Sequence, residues 1–417
     1  MILNITIRNF RSYKDEIVFS MEPNSSKSKS SNIFHNGEYK ILKSALIYGP
    51  NASGKSNIVR AFFEILKLIK YKPKVGREIS LNDPFLFDDK NLNSPIYFNL
   101  EFVLNKIKYQ YEIILKDNII LKEELNWYPK KYPQNLFKRN EYNENETIQY
   151  GVIGEFLGGK KISVFPNQLL MSKFGDDEPL EILTDVFLYF DNLYVYNATS
   201  KLHYDLLKNN VSSELSKDPN LKSKLEKLIN AIDTKIVGIE INEKDIDLDE
   251  EISRYTKENF DVYGLHNFYS NEKIVDKRPL NLKEESVGTQ NLYALGTKIF
   301  KTIIEGGVLI VDELDTSLHP YVTKMILMIF LDEEINSKGA QIIFTTHDVT
   351  LLDKDIVRKD QIWISEKNID GSTDLFSLQD FEGLREDTAF DKWYLSGKFG
   401  GIPQIKSLKE VFNNEIS

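Results

Sequence analysis

Residues Gly49-Pro50-Asn51-Ala52-Ser53-Gly54-Lys55-Ser56 fill the pattern G-x-x-x-x-G-K-[ST], and they stand between an apolar run and a run with helical spacing. Upstream, Ser44-Ala45-Leu46-Ile47-Tyr48 suits a buried strand; downstream, Asn57 to Leu66 repeats apolar residues at helical intervals. A strand, a glycine-rich turn and a helix in that order dictate a loop whose backbone N–H groups turn inward around an anion. The helix N-terminus adds favourable partial charge there. Lys55 is placed to reach the outer phosphates of a nucleotide and Ser56 to ligate Mg²⁺. Gly49, Asn51, Ser53, Gly54 and Asn57 complete the candidate phosphate contacts. Read alone, the string could still be a glycine-rich turn without a ligand, but the flanking strand and helix argue against that.

A second cluster narrows the chemistry. Gly306-Gly307-Val308-Leu309-Ile310-Val311-Asp312-Glu313 is a continuous apolar run ending in two carboxylates, as a central parallel strand would. Asp312 is positioned to hold Mg²⁺ through water, and pleat alternation sends Glu313 to the opposite side, where it can polarise the water that attacks a terminal phosphate. Acidic residues often follow buried strands, so the pair gains its meaning from the loop at Gly49.

Two more pieces fall in order. Gln341-Ile342-Ile343-Phe344-Thr345-Thr346-His347 reads as another buried strand that delivers a histidine to the carboxyl edge, where ligands of open α/β sheets sit. His347 is a candidate partner for the terminal phosphate. Glu285-Ser286-Val287-Gly288-Thr289-Gln290 precedes an amphipathic run from Asn291 to Phe300. A Ser-x-Gly turn opening a helix offers a hydroxyl, a close backbone approach and free amides, a second anion site; as an isolated string it would be only a helix cap.

In this order the motifs resemble those of the ATP-binding-cassette (ABC) ATPases, specifically the branch containing RecF, the SMC proteins and the small AAA-type ATPases of bacterial anti-phage and abortive-infection systems. Asn9-Phe10-Arg11-Ser12-Tyr13 is similar to that branch's opening strand and turn, and Glu284 to Gln290 to its signature. Leu314-Asp315-Thr316-Ser317-Leu318-His319-Pro320 resembles the D-loop of RecF-like members. Trp393-Tyr394-Leu395-Ser396-Gly397-Lys398-Phe399-Gly400-Gly401-Ile402-Pro403 looks like the ending of the defence ATPases, including those encoded beside RloB-type nucleases.

The resemblance covers residues 1–70 and 280–403, and it implies an α/β P-loop NTPase of the ABC head type. It further implies ATP and Mg²⁺ as cofactors, Glu313 and His347 as catalytic residues, Ser56 and Asp312 as metal ligands, and Arg11 beside the nucleotide. A homodimer would sandwich two ATPs, the Gly49 loop of one copy facing Ser286 and Gly288 of the other. A partner such as an RloB- or Toprim-like nuclease would supply toxic chemistry. The alternative within the same branch is a RecF-like, ATP-dependent DNA-binding repair protein. Two departures stand out. His319 occupies a place where many cassette ATPases carry Asp, and no convincing Q-loop glutamine follows the first helix. The segment Asn82 to Asp89 lies where it is expected, and whether Asp88 or a backbone group there meets Mg²⁺ is open.

The rest follows from composition and spacing. A chain of 417 residues, 41% hydrophobic and 28% charged, can bury a large core and divide into lobes. Four units are expected: 1–75, an N-terminal ATPase lobe; 76–165, a β-rich subdomain; 166–280, a helical insertion; and 281–417, the C-terminal ATPase lobe. Alternating stretches from Ile96 to Asn126, with a turn at Lys116-Asp117-Asn118, predict antiparallel strands, while Leu180 to Phe190 and Asn220 to Ile232 read as helices. The Ser/Lys-rich segment Asn24 to Ser31 reads as an exposed flexible loop, and the acidic run Asp245 to Glu251 as a solvated one.

With no cysteine there is no disulfide framework or thiolate zinc site, and no run is apolar enough to span a bilayer, so a cytoplasmic protein is expected. A net charge of −10 argues against a surface built to coat phosphate backbones. Local basic stretches at Lys67 to Arg77 and Tyr128 to Tyr132 leave nucleic-acid contact open. After the His347 strand only about 70 residues remain, without the compact acidic cluster of a two-metal nuclease.

Overall fold

The computed structural model describes residues 1–70, 83–140, 147–177, 179–232, 235–244 and 259–403. At its centre is a six-stranded sheet in the order Leu193–Asn197, Val308–Asp312, Gln341–Thr345, Ser44–Tyr48, Ile362–Lys367, Thr373–Ser377. All neighbours are parallel except the last pair. The three central strands are buried at every position, which is why they read as unbroken apolar runs rather than as alternations. Parallel pairing also aligns their carboxyl ends on one edge. The loop after Tyr48, Asp312 with Glu313, and His347 all emerge there.

The helix Lys55–Lys70 follows the glycine-rich loop and buries Ile58, Val59, Phe62, Ile65, Leu66 and Ile69. Each such side chain contributes about 1.5–3 kcal/mol relative to exposure. Its first turn carries no acidic residue, so the unpaired N–H groups at that end face no internal counter-charge. The helix Val287–Glu305 is capped by Ser286 at its start and stopped by Gly306 in the left-handed conformation (φ 71°).

A seven-stranded antiparallel sheet packs on the same core, in the order Thr147–Gln149, Gln134–Asn140, Ile119–Tyr128, Ile107–Lys116, Ile96–Leu104, Ile2–Arg8, Ile17–Ser20. The alternation from Ile96 to Asn126 is realised as strands, and the turn after Lys116 uses Asp117 (φ 50°) and Asn118 (φ 63°), the residues that best tolerate it. Ile2–Arg8, expected inside an N-terminal ATPase lobe, pairs instead with Ile96–Leu104, because its alternating apolar face closes this sheet against the core.

Residues 166–280, expected to be helical, are mixed. Helices Glu181–Asp191, Lys201–Lys217 and Pro219–Ala231 occur with an antiparallel sheet of Ile236–Glu243, Phe260–Ser270 and Lys273–Asn281. Between the first two helices, Leu193–Asn197 returns to the edge of the central sheet; five residues were too short a signal to stand out beside the flanking helices.

The Ser/Lys-rich segment is not loose. Arg358 and Asp360, both fully buried and paired at 2.7 Å, reach into it. Arg358 donates to the carbonyls of Ser26 and Ser28 and to Asn24 Oδ1, and the Asn24 N–H donates to Asp360 over 2.8 Å. Composition alone could not reveal an anchor more than 320 residues away. Residues 71–77 of the first basic stretch, Asn82 and the run 245–251 lie outside the described residues. Among the described residues no helix is long and apolar enough to cross a membrane.

Candidate functional site

The glycine-rich loop is shaped by what lies beneath it. Gly49 has φ 152° and Gly54 φ 104°; a Cβ at Gly49 would collide with the Ser365 carbonyl oxygen, and one at Gly54 with the Thr373 hydroxyl. The loop rests on a layer of hydroxyls. Thr373 Oγ1 donates to the Ser53 carbonyl (2.7 Å) and lies 2.7 Å from the Ser12 hydroxyl, Ser365 Oγ donates to the same Ser53 carbonyl (3.1 Å), and the Tyr13 hydroxyl donates to the Gly54 carbonyl (3.2 Å). Ser12 and Tyr13 belong to the opening turn, while Ser365 and Thr373 lie in no motif. Asn57 joins them, its amide donating to Ser12 Oγ over 2.5 Å, and the Ser53 side chain is fully buried under the loop. Of the expected phosphate contacts, the Asn57 side chain therefore braces the loop, the Ser53 hydroxyl is buried without a hydrogen-bond partner, and Asn51 and Ser56 are exposed.

Lys55 is buried, and its ammonium donates to the carbonyls of Gly49 (2.8 Å) and Pro50 (3.0 Å). Burial lowers its pKa, while Glu313, Asp312 and Asp315 act in the opposite sense. A cation in low dielectric, held by two carbonyls in the field of three carboxylates, is a point of attraction for an incoming polyanion.

Asp312 ends its strand 4% exposed. Its Oδ1 accepts from the Thr345 hydroxyl (2.7 Å) and its Oδ2 from the Asn197 amide (2.9 Å). Burial raises its pKa; the Thr345 and Ser56 hydroxyls, donating to it, pull the other way. Ser56 and Asp312 thus converge as hard oxygen donors, the set that suits Mg²⁺ when phosphates and water complete the shell. When bound, Mg²⁺ would neutralise charge on the phosphates. The protein's own part is to keep these two oxygens close and oriented.

Glu313 departs from the expected pleat. The strand stops at Asp312, and Glu313 sits in the left-handed region (φ 56°), its N–H donating to Thr345 Oγ1 (2.7 Å) and its carboxylate accepting from Thr316 Oγ1 (3.2 Å). Thr345 serves both acidic residues: it accepts from one backbone and donates to the other side chain. His347 is exposed, its N–H donating to Asp315 (3.1 Å). Partial burial and then Lys55 lower its pKa, which favours a neutral ring able to donate or accept. A cavity of about 820 Å³ joins Asn51, His347 and the outer edge of the Gly49 loop.

The segment where a Q-loop is expected is tied to the turn that holds Arg11 and Lys14. Asp88 caps the short helix Asp89–Leu92 and pairs with Lys14 at 3.3 Å, and the backbone of Asp83 accepts from the Arg11 N–H at 2.7 Å. The polar amide beside Asp312 is Asn197, its direct register partner on the neighbouring strand. The Asn197 N–H donates to His203 Nδ1 (3.3 Å), and that ring stacks on Phe63 (5.3 Å between centroids). Arg11, Ser56, Asn57, Asn197, His203 and Asp312 line one pocket of about 190 Å³, so Arg11 lies on the side of the loop where Ser56 and Asp312 meet.

Ser286 caps its helix through the Thr289 N–H (3.1 Å), and a Cβ at Gly288 would lie 2.5 Å from the Ser317 carbonyl. The signature turn thus abuts the turn that follows Glu313. His319 caps the helix Pro320–Leu331 and stacks on Tyr321. Ahead of the signature, His266 Nε2 and Glu285 Oε1 are 2.7 Å apart, tying the three-stranded sheet to it.

A phosphate-binding loop, an acidic strand end and a histidine strand end on one edge of a parallel sheet constitute a P-loop NTPase fold. Residues 44–353 match the family model described as AAA domain, putative AbiEii toxin, Type IV TA system. No curated protein matches the chain. Among solved structures it is similar to the SMC head domain from Thermotoga maritima, at 14% identity and TM-score 0.41, covering 90% of this chain and 98% of that one. An SMC head bound to the C-terminal winged-helix domain of ScpA matches at 15% identity and TM-score 0.41, with 90% and 97% covered. CbiO1 from Clostridium perfringens, part of an ABC transporter complex, matches at 12% identity and TM-score 0.30, with 96% and 98% covered.

Proposed function

The chain belongs to the family of AAA domains described as putative AbiEii toxins of type IV toxin–antitoxin systems, and from that premise we propose that it binds and hydrolyses ATP between two copies of itself. The observation that carries this reading is the shared edge on which Lys55, Ser56, Asp312, Glu313 and His347 meet. Lys55 draws the outer phosphates, Ser56 and Asp312 hold Mg²⁺ with Asn197 steadying the carboxylate, and Glu313 takes the proton of the attacking water. His347 orients the terminal phosphate from the opposite side. Each subunit's Ser286–Gly288 turn closes on the nucleotide of the other, so the pair forms with ATP and parts after hydrolysis.

The cellular role we infer is control of a toxic effector in defence against phage. The family description and the ending Trp393 to Pro403 support it, and the partner that fits is a nuclease of RloB or Toprim type. The direct test is the oligomeric state with Mg²⁺ and ATP. Glu313→Gln should accumulate as a dimer with turnover about 100-fold or more below wild type, the usual worth of a general base. Lys55→Ala should stay monomeric with ATP present. Equal turnover in wild type and Glu313→Gln would remove Glu313 from the chemistry.

A further inference from the structure

We propose that Tyr394 is a positioning residue for the phosphate loop, and that the segment Trp393 to Pro403 is a strap that fixes the loop's first glycine in its nucleotide-ready shape. The inference rests on reading the Gly49 loop as the ATP site. It assigns a task to an ending that the chemistry at Asp312 and Glu313 does not use.

The helix Phe390–Leu395 carries Tyr394 inward, where it is 8% exposed. Its ring leans on Tyr48, the last residue of the strand before the loop, with centroids 5.5 Å apart. Its hydroxyl donates to the Gly401 carbonyl over 2.9 Å. Burial raises the hydroxyl's pKa, and the nearby Gly49 backbone partly offsets this. The hydroxyl therefore ties its helix to Gly401, which lies against the loop's first residue. Gly401 reinforces the contact from the other side: it has φ 63°, and a Cβ there would lie 2.5 Å from Ile364 Cγ2 and 3.7 Å from the Gly49 Cα.

The physical need is local. Gly49 holds φ 152°, one of many conformations open to a glycine, so surrounding contacts must select it. From below, Ser365 and Thr373 brace Ser53. On its outer edge the contacts come from Tyr394 and Gly401, which also wall the cavity shared with Asn51 and His347. Loosening the strap should spread the loop over several conformations and weaken ATP before it affects the bond-breaking step.

Tyr394→Phe in the full chain keeps the ring and removes the tie. The Kd for ATP with Mg²⁺, by calorimetry, should rise about five- to tenfold, the worth of one hydrogen bond, with kcat at saturating ATP within about twofold of wild type. Amide exchange in the nucleotide-free protein should quicken at residues 49–54 and not in the strand Gln341–Thr345. Gly401→Ala, which displaces the hydroxyl's acceptor, should give the same pattern. Leu395→Ala, on the same helix but 62% exposed, should change neither readout. Unchanged Kd and unchanged exchange in Tyr394→Phe would overturn the strap. Wild type that binds no ATP would instead overturn the nucleotide reading, while the exchange comparison would still judge the strap.

Discussion

Asn197 and Asp312 face each other at the carboxyl ends of adjacent parallel strands, and the amide of one donates to the carboxylate of the other over 2.9 Å. With Thr345 on the second oxygen, the buried acid is held by one neighbour from each flanking strand. Its orientation is thus set by the sheet.

Asn197→Ala should leave that oxygen short of a partner. Loss of a second-shell contact to a metal ligand typically costs 10- to 100-fold in metal affinity. The Mg²⁺ concentration giving half-maximal ATP turnover should accordingly rise by about tenfold or more. An unaltered Mg²⁺ titration would show that Asn197 is packing only.

Lys55 gives a pH signature in the nucleotide-free protein. Its pKa in the fold lies below the ordinary 10.5, so the unfolded chain binds more protons between the two values and stability rises with pH through that window. At pH 7 the buried ammonium therefore lowers stability. Lys55→Met should unfold at a higher temperature than wild type at pH 7, with the gap narrowing as pH approaches 10.5. A gap that stays flat from pH 7 to 10 would contradict the burial argument.

Gly288→Glu should block the approach of the signature to a partner's nucleotide, since even a Cβ there meets Ser317. Each subunit's own loop should still bind ATP. Mixing Gly288→Glu with Lys55→Ala should restore up to one working site per heterodimer. No recovery in mixtures shown to contain heterodimers would count against the shared site.

Arg358→Ala should destabilise the chain without touching the nucleotide loop. It strands Asp360 in the core and releases the Ser26 and Ser28 carbonyls, a loss of about 3–5 kcal/mol for a broken buried pair. Urea unfolding measures it. A change under 1 kcal/mol, about the worth of an exposed pair, would mean water replaces the guanidinium.

In cells, the chain alone should be neither toxic nor protective. Phage plating on strains carrying this gene, its neighbour or both should show protection only for the pair, and only with Lys55 and Glu313 intact. Sensitivity to DNA damage on deletion, with no phage phenotype, would favour a RecF-like repair role.

The candidate edge was readable because its parts are local: a loop, a strand end and a helix cap each carry their pattern within eight residues. The braces were not. Asn197, Ser365 and Thr373 are ordinary residues in ordinary strings, Ser12 and Tyr394 sit in motifs that do not say what they touch, and the meaning of all five comes from contacts between distant segments. The pleat argument for Glu313 failed for a related reason: where a strand ends, a single left-handed residue overrides the period of two. Ile2–Arg8 alternates apolar and polar residues as a strand does, but its sheet cannot be read from that, since pairing depends on a partner near residue 100.

The bond from Thr373 to the Ser53 carbonyl spans 320 residues, and the contacts of Ser365 and Gly401 with the loop span comparable lengths. On a ribosome the loop is made before its supports, by on the order of tens of seconds at ordinary synthesis rates. A nascent chain should therefore be unable to grip ATP until Ser365, Thr373 and Gly401 have emerged, so that termination between loop and supports would yield fragments that cannot compete with full copies for the nucleotide.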